Sequence, residues 1–154
     1  MEKVTRSFCI LIAEDNEDDY LLARDALKEC RPDVGLRWVK DGEELMDYLL
    51  HLGAYKSGRD FPPPDLVLLD LNMPRKNGRE ALKEIRQRDE LRRLPVIVLT
   101  TSQADTDIFY SYEQGANSFI RKPVGFQPFV EVMRTLCQYW LVNVTLPAAG
   151  ETAR

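Results

Sequence analysis

Short apolar runs alternate with amphipathic stretches along this chain, and the alternation repeats five times. Residues 8–13 (Phe-Cys-Ile-Leu-Ile-Ala), 66–69 (Leu-Val-Leu-Leu) and 95–99 (Pro-Val-Ile-Val-Leu) carry no polar face. Runs of that kind mark strands buried on both sides of a parallel sheet. Residues 35–39 and 118–121 are two further short strand segments. Between the strands, apolar positions recur at helical spacing. The first set is Tyr20, Leu21, Ala23, Leu27 and Cys30; the second is Leu45, Met46, Leu49, Leu50 and Leu52. Ala81, Leu82 and Ile85 form the third, and Ile108, Phe109, Tyr112 and Ala116 the fourth. The last helix, about 126 to about 142, turns Phe129, Met133, Leu136, Cys137, Trp140 and Leu141 inward. Arg31-Pro32 stops the first helix, and Asp41-Gly42-Glu43-Glu44 opens the second with acids in its first turn.

Five strand–helix repeats predict an α/β fold: a parallel sheet, helices on both faces, right-handed crossovers. Of the two common doubly wound arrangements, the lack of a long second half favours the flavodoxin-like strand order 2-1-3-4-5. The domain is expected over residues 7–142. Residues before it are polar and loose, and 143–154 form a disordered tail. Residues 53–64 are an insertion rich in Gly, Pro and charge, with three consecutive prolines that favour an extended path.

Composition narrows the function. The 154 residues suit one domain with a sizeable core. A net charge of −4 is unlike the basic footprint of a nucleic-acid binder. Three cysteines with no paired spacing read as free thiols in a reducing compartment. No apolar run is long enough to span a membrane and no signal peptide precedes the first strand, so a cytoplasmic protein is expected.

The polar residues that break the pattern fall where strands end. Glu14 and Asp15 follow the first strand, Asp70 the third, Thr100 the fourth and Lys122 the fifth. In a parallel sheet these ends share one edge, the edge where α/β folds place their sites. Alone, Glu14-Asp15-Asn16 reads as an N-cap of the next helix; its convergence with Asp70 favours a site. Two carboxylates ~4 Å apart repel by roughly 4 kcal/mol at an effective dielectric of 20, which a divalent cation removes. All-oxygen ligands with few carboxylates suit Mg²⁺. Zinc is disfavoured, because His51 is the one histidine and no cysteine lies at a strand end. His51 sits among leucines at a helix end and reads as structural. A metal, a carboxylate, a hydroxyl and an amine together suit a phosphoryl group. Asp70, ending the middle strand, is the candidate nucleophile, with Lys122 and Thr100 contacting further phosphoryl oxygens.

In this order, Glu14-Asp15, Asp70-Leu71-Asn72-Met73-Pro74, Thr100, Phe119 and Lys122-Pro123 resemble the response regulator receiver domains of two-component signalling. The 53–64 insertion, the run from Asp70 through Asn77-Gly78-Arg79-Glu80 and the aromatic last helix look most like the single-domain subgroup paired with phytochrome-type histidine kinases. The resemblance implies that Asp70 accepts a phosphoryl group from a kinase phosphohistidine. It implies that Asp15 and Asp70 ligate Mg²⁺ by side chain, Asn72 by its carbonyl and Glu14 through water. Thr100 and Phe119 would be the switch pair, and the Lys122–Pro123 bond would be cis. Phe119 lacks the hydroxyl of the family's frequent Tyr, so its switching would be a change of packing.

No effector domain is read after 142, so output is expected through the receiver itself. Phe109, Tyr110, Tyr112, Tyr139 and Trp140 suggest an apolar patch and a homodimer through the fourth helix, fifth strand and fifth helix. Two rivals stand beside this reading. One is a phosphorylation-independent docking module, which the intact Asp15, Asp70, Thr100 and Lys122 argue against. The other is an aspartate-nucleophile phosphohydrolase of the haloacid-dehalogenase type. That chemistry needs a second Asp two residues after the nucleophile, where this chain has Asn72.

Overall fold

The structure, a computed structural model, describes residues 7–147. The expected loose residues 1–6, and residues 148–154 of the expected tail 143–154, lie outside the described residues, while 143–147 are ordered rather than loose. Strands β1 (Cys9–Ala13), β2 (Gly35–Val39), β3 (Leu66–Leu69), β4 (Val96–Thr100) and β5 (Ser118–Arg121) alternate with five helices. These are α1 (Glu17–Cys30), α2 (Gly42–Leu50), α3 (Gly78–Gln87), α4 (Asp105–Glu113) and α5 (Phe126–Cys137). The strands form one parallel sheet in the order β2-β1-β3-β4-β5, as the alternation predicts.

The unbroken apolar runs follow from this architecture. Ile10, Ile12, Leu66, Leu68, Ile97 and Leu99 pack with Leu27, Phe129, Val130 and Met133 of α1 and α5. The alternate residues Leu11, Ala13, Val67, Leu69, Val96 and Val98 pack with Leu45, Leu49, Leu82 and Ile85 of α2 and α3. Both faces of the central strands are thus covered, and Thr100, at the end of β4, is the one polar residue in them. Side-chain caps set three helix starts: Asn16 for α1, Asp41 for α2, and Asn77 for α3, which forms a capping box with Glu80.

Three details depart from expectation, and a fourth, on α4, decides between a core face and an exposed patch. Helix α2 ends at Leu50 because His51 turns left-handed (φ 55°), so Leu52 is exposed rather than part of the core face. On α4, Phe109 and Tyr112 point to solvent and only Ser111 is buried, its hydroxyl donating to the Asp107 carbonyl at 2.7 Å. The insertion folds back onto α2. Its Tyr55 and Phe61 rings pack edge-on at 4.8 Å and both contact Tyr48, whose hydroxyl donates to the Pro62 carbonyl at 3.0 Å. All peptide bonds among the described residues are trans, that before Pro123 included; trans is the lower-energy form by about 0.5–1 kcal/mol before proline. A π-helical turn, Gln138–Asn143, prolongs α5, and Leu146 leans on the core beneath α1 and α5. No helix of the described residues is long and apolar enough to cross a membrane.

Candidate functional site

The parallel sheet delivers Glu14, Asp70, Thr100 and Lys122 to one edge. Glu14, Asp70 and Thr100 are buried there, while Asp15 is exposed at the rim. One carboxylate oxygen from each of Glu14, Asp15 and Asp70 lies within 4.8 Å of the others.

Both oxygens of Asp70 are engaged. Oδ1 accepts from the Thr100 hydroxyl at 2.8 Å and from the Asn72 amide at 3.2 Å. Oδ2 accepts from Lys122 Nζ at 3.2 Å. The same ammonium donates to Glu14, and to Asp19 at 3.0 Å. Its backbone amide is tied to the Thr100 carbonyl at 2.8 Å, which fixes where the side chain starts.

Three carboxylates share this one ammonium, so the cluster carries excess negative charge. Burial pushes the Glu14 carboxyl up to about 8; the Lys122 hydrogen bond pulls it down, and the Asp70 charge adds to the rise. Burial works against the Lys122 charge, but the hydrogen bond to Glu14 and the Asp70 and Glu14 charges hold the ammonium above its ordinary value. An all-oxygen set with surplus negative charge fits a hard divalent cation.

The loop after Asp70 wraps back tightly. The Gly78 amide donates to the Leu71 carbonyl at 3.0 Å. A Cβ at Gly78 would stand 2.1 Å from the Asp70 carbonyl oxygen, so only glycine fits. The capping box then starts α3 on this spot.

The structure thus assembles Glu14, Asp15, Asp70, Thr100 and Lys122, with the Asn72 amide beside them. Phe119 is half-buried on β5, packs on the α2–α3 core, and its amide donates to the Tyr112 hydroxyl at 3.2 Å. His51 lies at the C-terminal end of α2, at the far edge of the sheet. Two contributors escaped the sequence reading. Asp19 looks like a first-turn acid placed for the helix dipole, yet it reaches Lys122. Arg79 pairs with Asp107, 28 residues away, beside Ser102. The acid in the first turn of α4 was a signal, but nothing in sequence names its partner.

The family model of the response regulator receiver domain matches residues 10–134. The chain belongs to that family. Response regulator Rcp1 of Synechocystis sp. (strain ATCC 27184 / PCC 6803 / Kazusa) is 40% identical over 140 residues, covering 91% of this chain and 93% of Rcp1. The phosphorylated cyanobacterial phytochrome response regulator RcpA superposes with a TM-score of 0.86 at 38% identity, covering 93% of this chain and all of RcpA (100%). Response regulator RPA3017, from red light signaling of R. palustris, gives 0.87 at 35% identity, with 92% and 99% covered. Rcp1 has been solved in a Mn(2+)-bound form, which matches this receiver fold with a TM-score of 0.83 at 39% identity over 92% of this chain and 99% of Rcp1.

Proposed function

We propose that this receiver is a phosphoacceptor that takes a phosphoryl group onto Asp70 from the phosphohistidine of a sensor histidine kinase. One observation carries the reading: the buried Asp70 carboxylate meets Thr100, Lys122 and the acidic cluster at once. In the transfer, an Asp70 oxygen forms a bond to phosphorus as the phosphorus–nitrogen bond breaks, and the electron pair stays on the imidazole. Lys122 offsets the charge of the incoming group, and the Thr100 hydroxyl turns from Asp70 to a phosphoryl oxygen. Asp15, Asp70, Glu14 and the Asn72 carbonyl would hold Mg²⁺. When bound, the cation neutralises charge on the acids and on the phosphoryl oxygens. Phe119 follows Thr100 by repacking.

A phytochrome-type kinase is the partner we favour, because Rcp1, RcpA and RPA3017 are similar over nearly their whole lengths and two of them are named for light signalling. The three free thiols accord with a cytoplasmic setting. Output would pass through a second copy of the chain at the α4–β5–α5 face. A phosphoryl group held on the buried Asp70 carboxylate would make this a signalling module rather than a turnover enzyme.

The test is incubation with Mg²⁺ and a small acyl-phosphate donor, followed by intact mass. One phosphoryl group, lost in Asp70→Asn, supports the reading. An unlabelled wild type points instead to a docking module, and steady phosphate release at enzymatic rates to a hydrolase.

A further inference from the structure

A closed ring of contacts leaves Asp70 on one side and returns to it on the other. Thr100 Oγ1 donates to Asp70 Oδ1 at 2.8 Å, and the Ser102 amide donates to Thr100 Oγ1 at 3.3 Å. The Ser102 hydroxyl donates to Asp107 Oδ2 at 2.5 Å. Arg79 grips Asp107 with both arms of its guanidinium, Nε to Oδ1 at 2.8 Å and Nη2 to Oδ2 at 2.7 Å. Its third nitrogen, Nη1, donates to the carbonyl of Leu71 at 3.4 Å, the residue bonded to Asp70.

From this ring we propose that Arg79 is a positioning residue for phosphoryl transfer, acting through Asp107, Ser102 and Thr100. The proposal rests on the reading of Asp70 as phosphoacceptor and goes beyond it.

A plain staple between α3 and α4 would need only the Arg79–Asp107 pair. Here Asp107 spends a second interaction on Ser102, and Ser102 turns its amide onto the one hydroxyl that must move. The pair is well placed to resist that movement. Asp107 is 14% exposed and Arg79 30%, and a two-pronged guanidinium–carboxylate contact fixes direction as well as distance. Helix α4 is held to the same pair, since Asp107 lies in its first turn and the Tyr110 hydroxyl donates to the Arg79 carbonyl at 3.5 Å. Turning Thr100 toward a phosphoryl oxygen therefore pulls on Ser102, Asp107 and the first turn of α4. The ring holds Thr100 in the resting orientation, and it ties any change there to the α4 face.

Loosening the ring should make Thr100 easier to turn. In the full-length chain with Mg²⁺ and a small acyl-phosphate donor, Arg79→Gln is expected to label about two- to thirtyfold faster than wild type, the range of such couplings. The half-saturating donor concentration should stay unchanged, which separates positioning from loss of a donor-binding charge. In a Thr100→Ala background the acceleration should vanish, because the residue through which Arg79 acts is gone. Asp107→Asn, which keeps the shape of the side chain, should behave like Arg79→Gln and serves where that variant folds poorly. Amide exchange at Ser102 should quicken in both variants before any phosphoryl group is added. An equal acceleration with and without Thr100, or none in either variant, overturns the proposal and leaves the phosphoacceptor reading intact. A wild type that takes no label overturns both.

Discussion

Glu14 and Lys122 stand 108 residues apart in the chain and form a buried ion pair where β1 and β5 end, their side chains 3% and 7% exposed. Removing one member of such a pair leaves charge buried without compensation, at a cost of about 3–5 kcal/mol. Lys122→Met is therefore expected to lose about 3 kcal/mol of unfolding free energy at pH 8 in chelator, the low end of that range, because Glu14 can take up a proton. The pH dependence has a definite sign. The folded Glu14 pKa, about 8, lies above its ordinary 4.5, so the folded state holds a proton that the unfolded chain releases. That contribution is complete below pH 4.5 and is lost as the pH rises through 8. Urea titrations in chelator should show wild-type stability falling from pH 5 to pH 8.5 and a flatter profile for Glu14→Gln. Parallel profiles for the two proteins would refute the assignment.

Asp15 supplies the cluster's exposed carboxylate. Asp15→Asn should remove repulsion from Glu14 and Asp70 and raise the metal-free melting temperature slightly. It should also abolish stabilisation by Mg²⁺. A ligand at ten times its dissociation constant adds about 1.4 kcal/mol, or roughly 3–5 °C for a domain of this size. Differential scanning fluorimetry with chelator and with Mg²⁺ reads both effects. A Mg²⁺ shift as large in Asp15→Asn as in wild type would remove Asp15 from the metal site.

Where the sequence was legible and where it was not follows from how local each signal is. The double burial of β1, β3 and β4 imprints itself on consecutive residues, so Leu66–Leu69 announced a central strand and Asp70 its end. Strand order and the meeting of Glu14, Asp70, Thr100 and Lys122 then followed from parallel topology. The ring through Arg79 did not, because two charges on different helices leave no periodic trace and 28 residues separate them. Helix α4 was legible only in part, for a related reason. Its aromatics are spaced like a core face, but Phe109 and Tyr112 stand exposed and the buried residue of the helix is Ser111, a small polar residue satisfied by its own helix. The 53–64 segment likewise reads as loop composition, while Tyr55 and Phe61 find a partner in Tyr48 that only the fold supplies.

Gly78 tests how tightly the turn after Asp70 must close. A methyl group there would collide with main-chain atoms, Asp70 O at 2.1 Å and Leu71 Cα at 2.8 Å, which cannot swing aside as a flexible side chain would. Gly78→Ala should cost about 2–3 kcal/mol, the upper part of the range for overpacking. Because the displaced atoms are the backbone of Asp70 and Leu71, labelling at Asp70 should also slow. Urea unfolding and intact-mass labelling check the two effects separately. Wild-type stability in Gly78→Ala would mean the turn is looser than its contacts indicate.

The exposed apolar side chains bear on self-association. Of the six large ones that stand exposed among the described residues, five come from α4 onward: Phe109, Tyr112, Val124, Tyr139 and Val142. Phe109, 70% exposed on α4, has no packing role within the domain that would account for it. Burying a side chain of this size stabilises an interface by about 1.5–3 kcal/mol, so Phe109→Glu should weaken a dimer at least tenfold while leaving the fold intact. Arg79 and Asp107 anchor the same helix, so labelling at Asp70 is expected to shift the association equilibrium as well. Sedimentation at micromolar concentration, with and without the acyl-phosphate donor, measures both. A wild type that sediments as a monomer under both conditions excludes the α4–β5–α5 dimer and sends the search for output to a different partner.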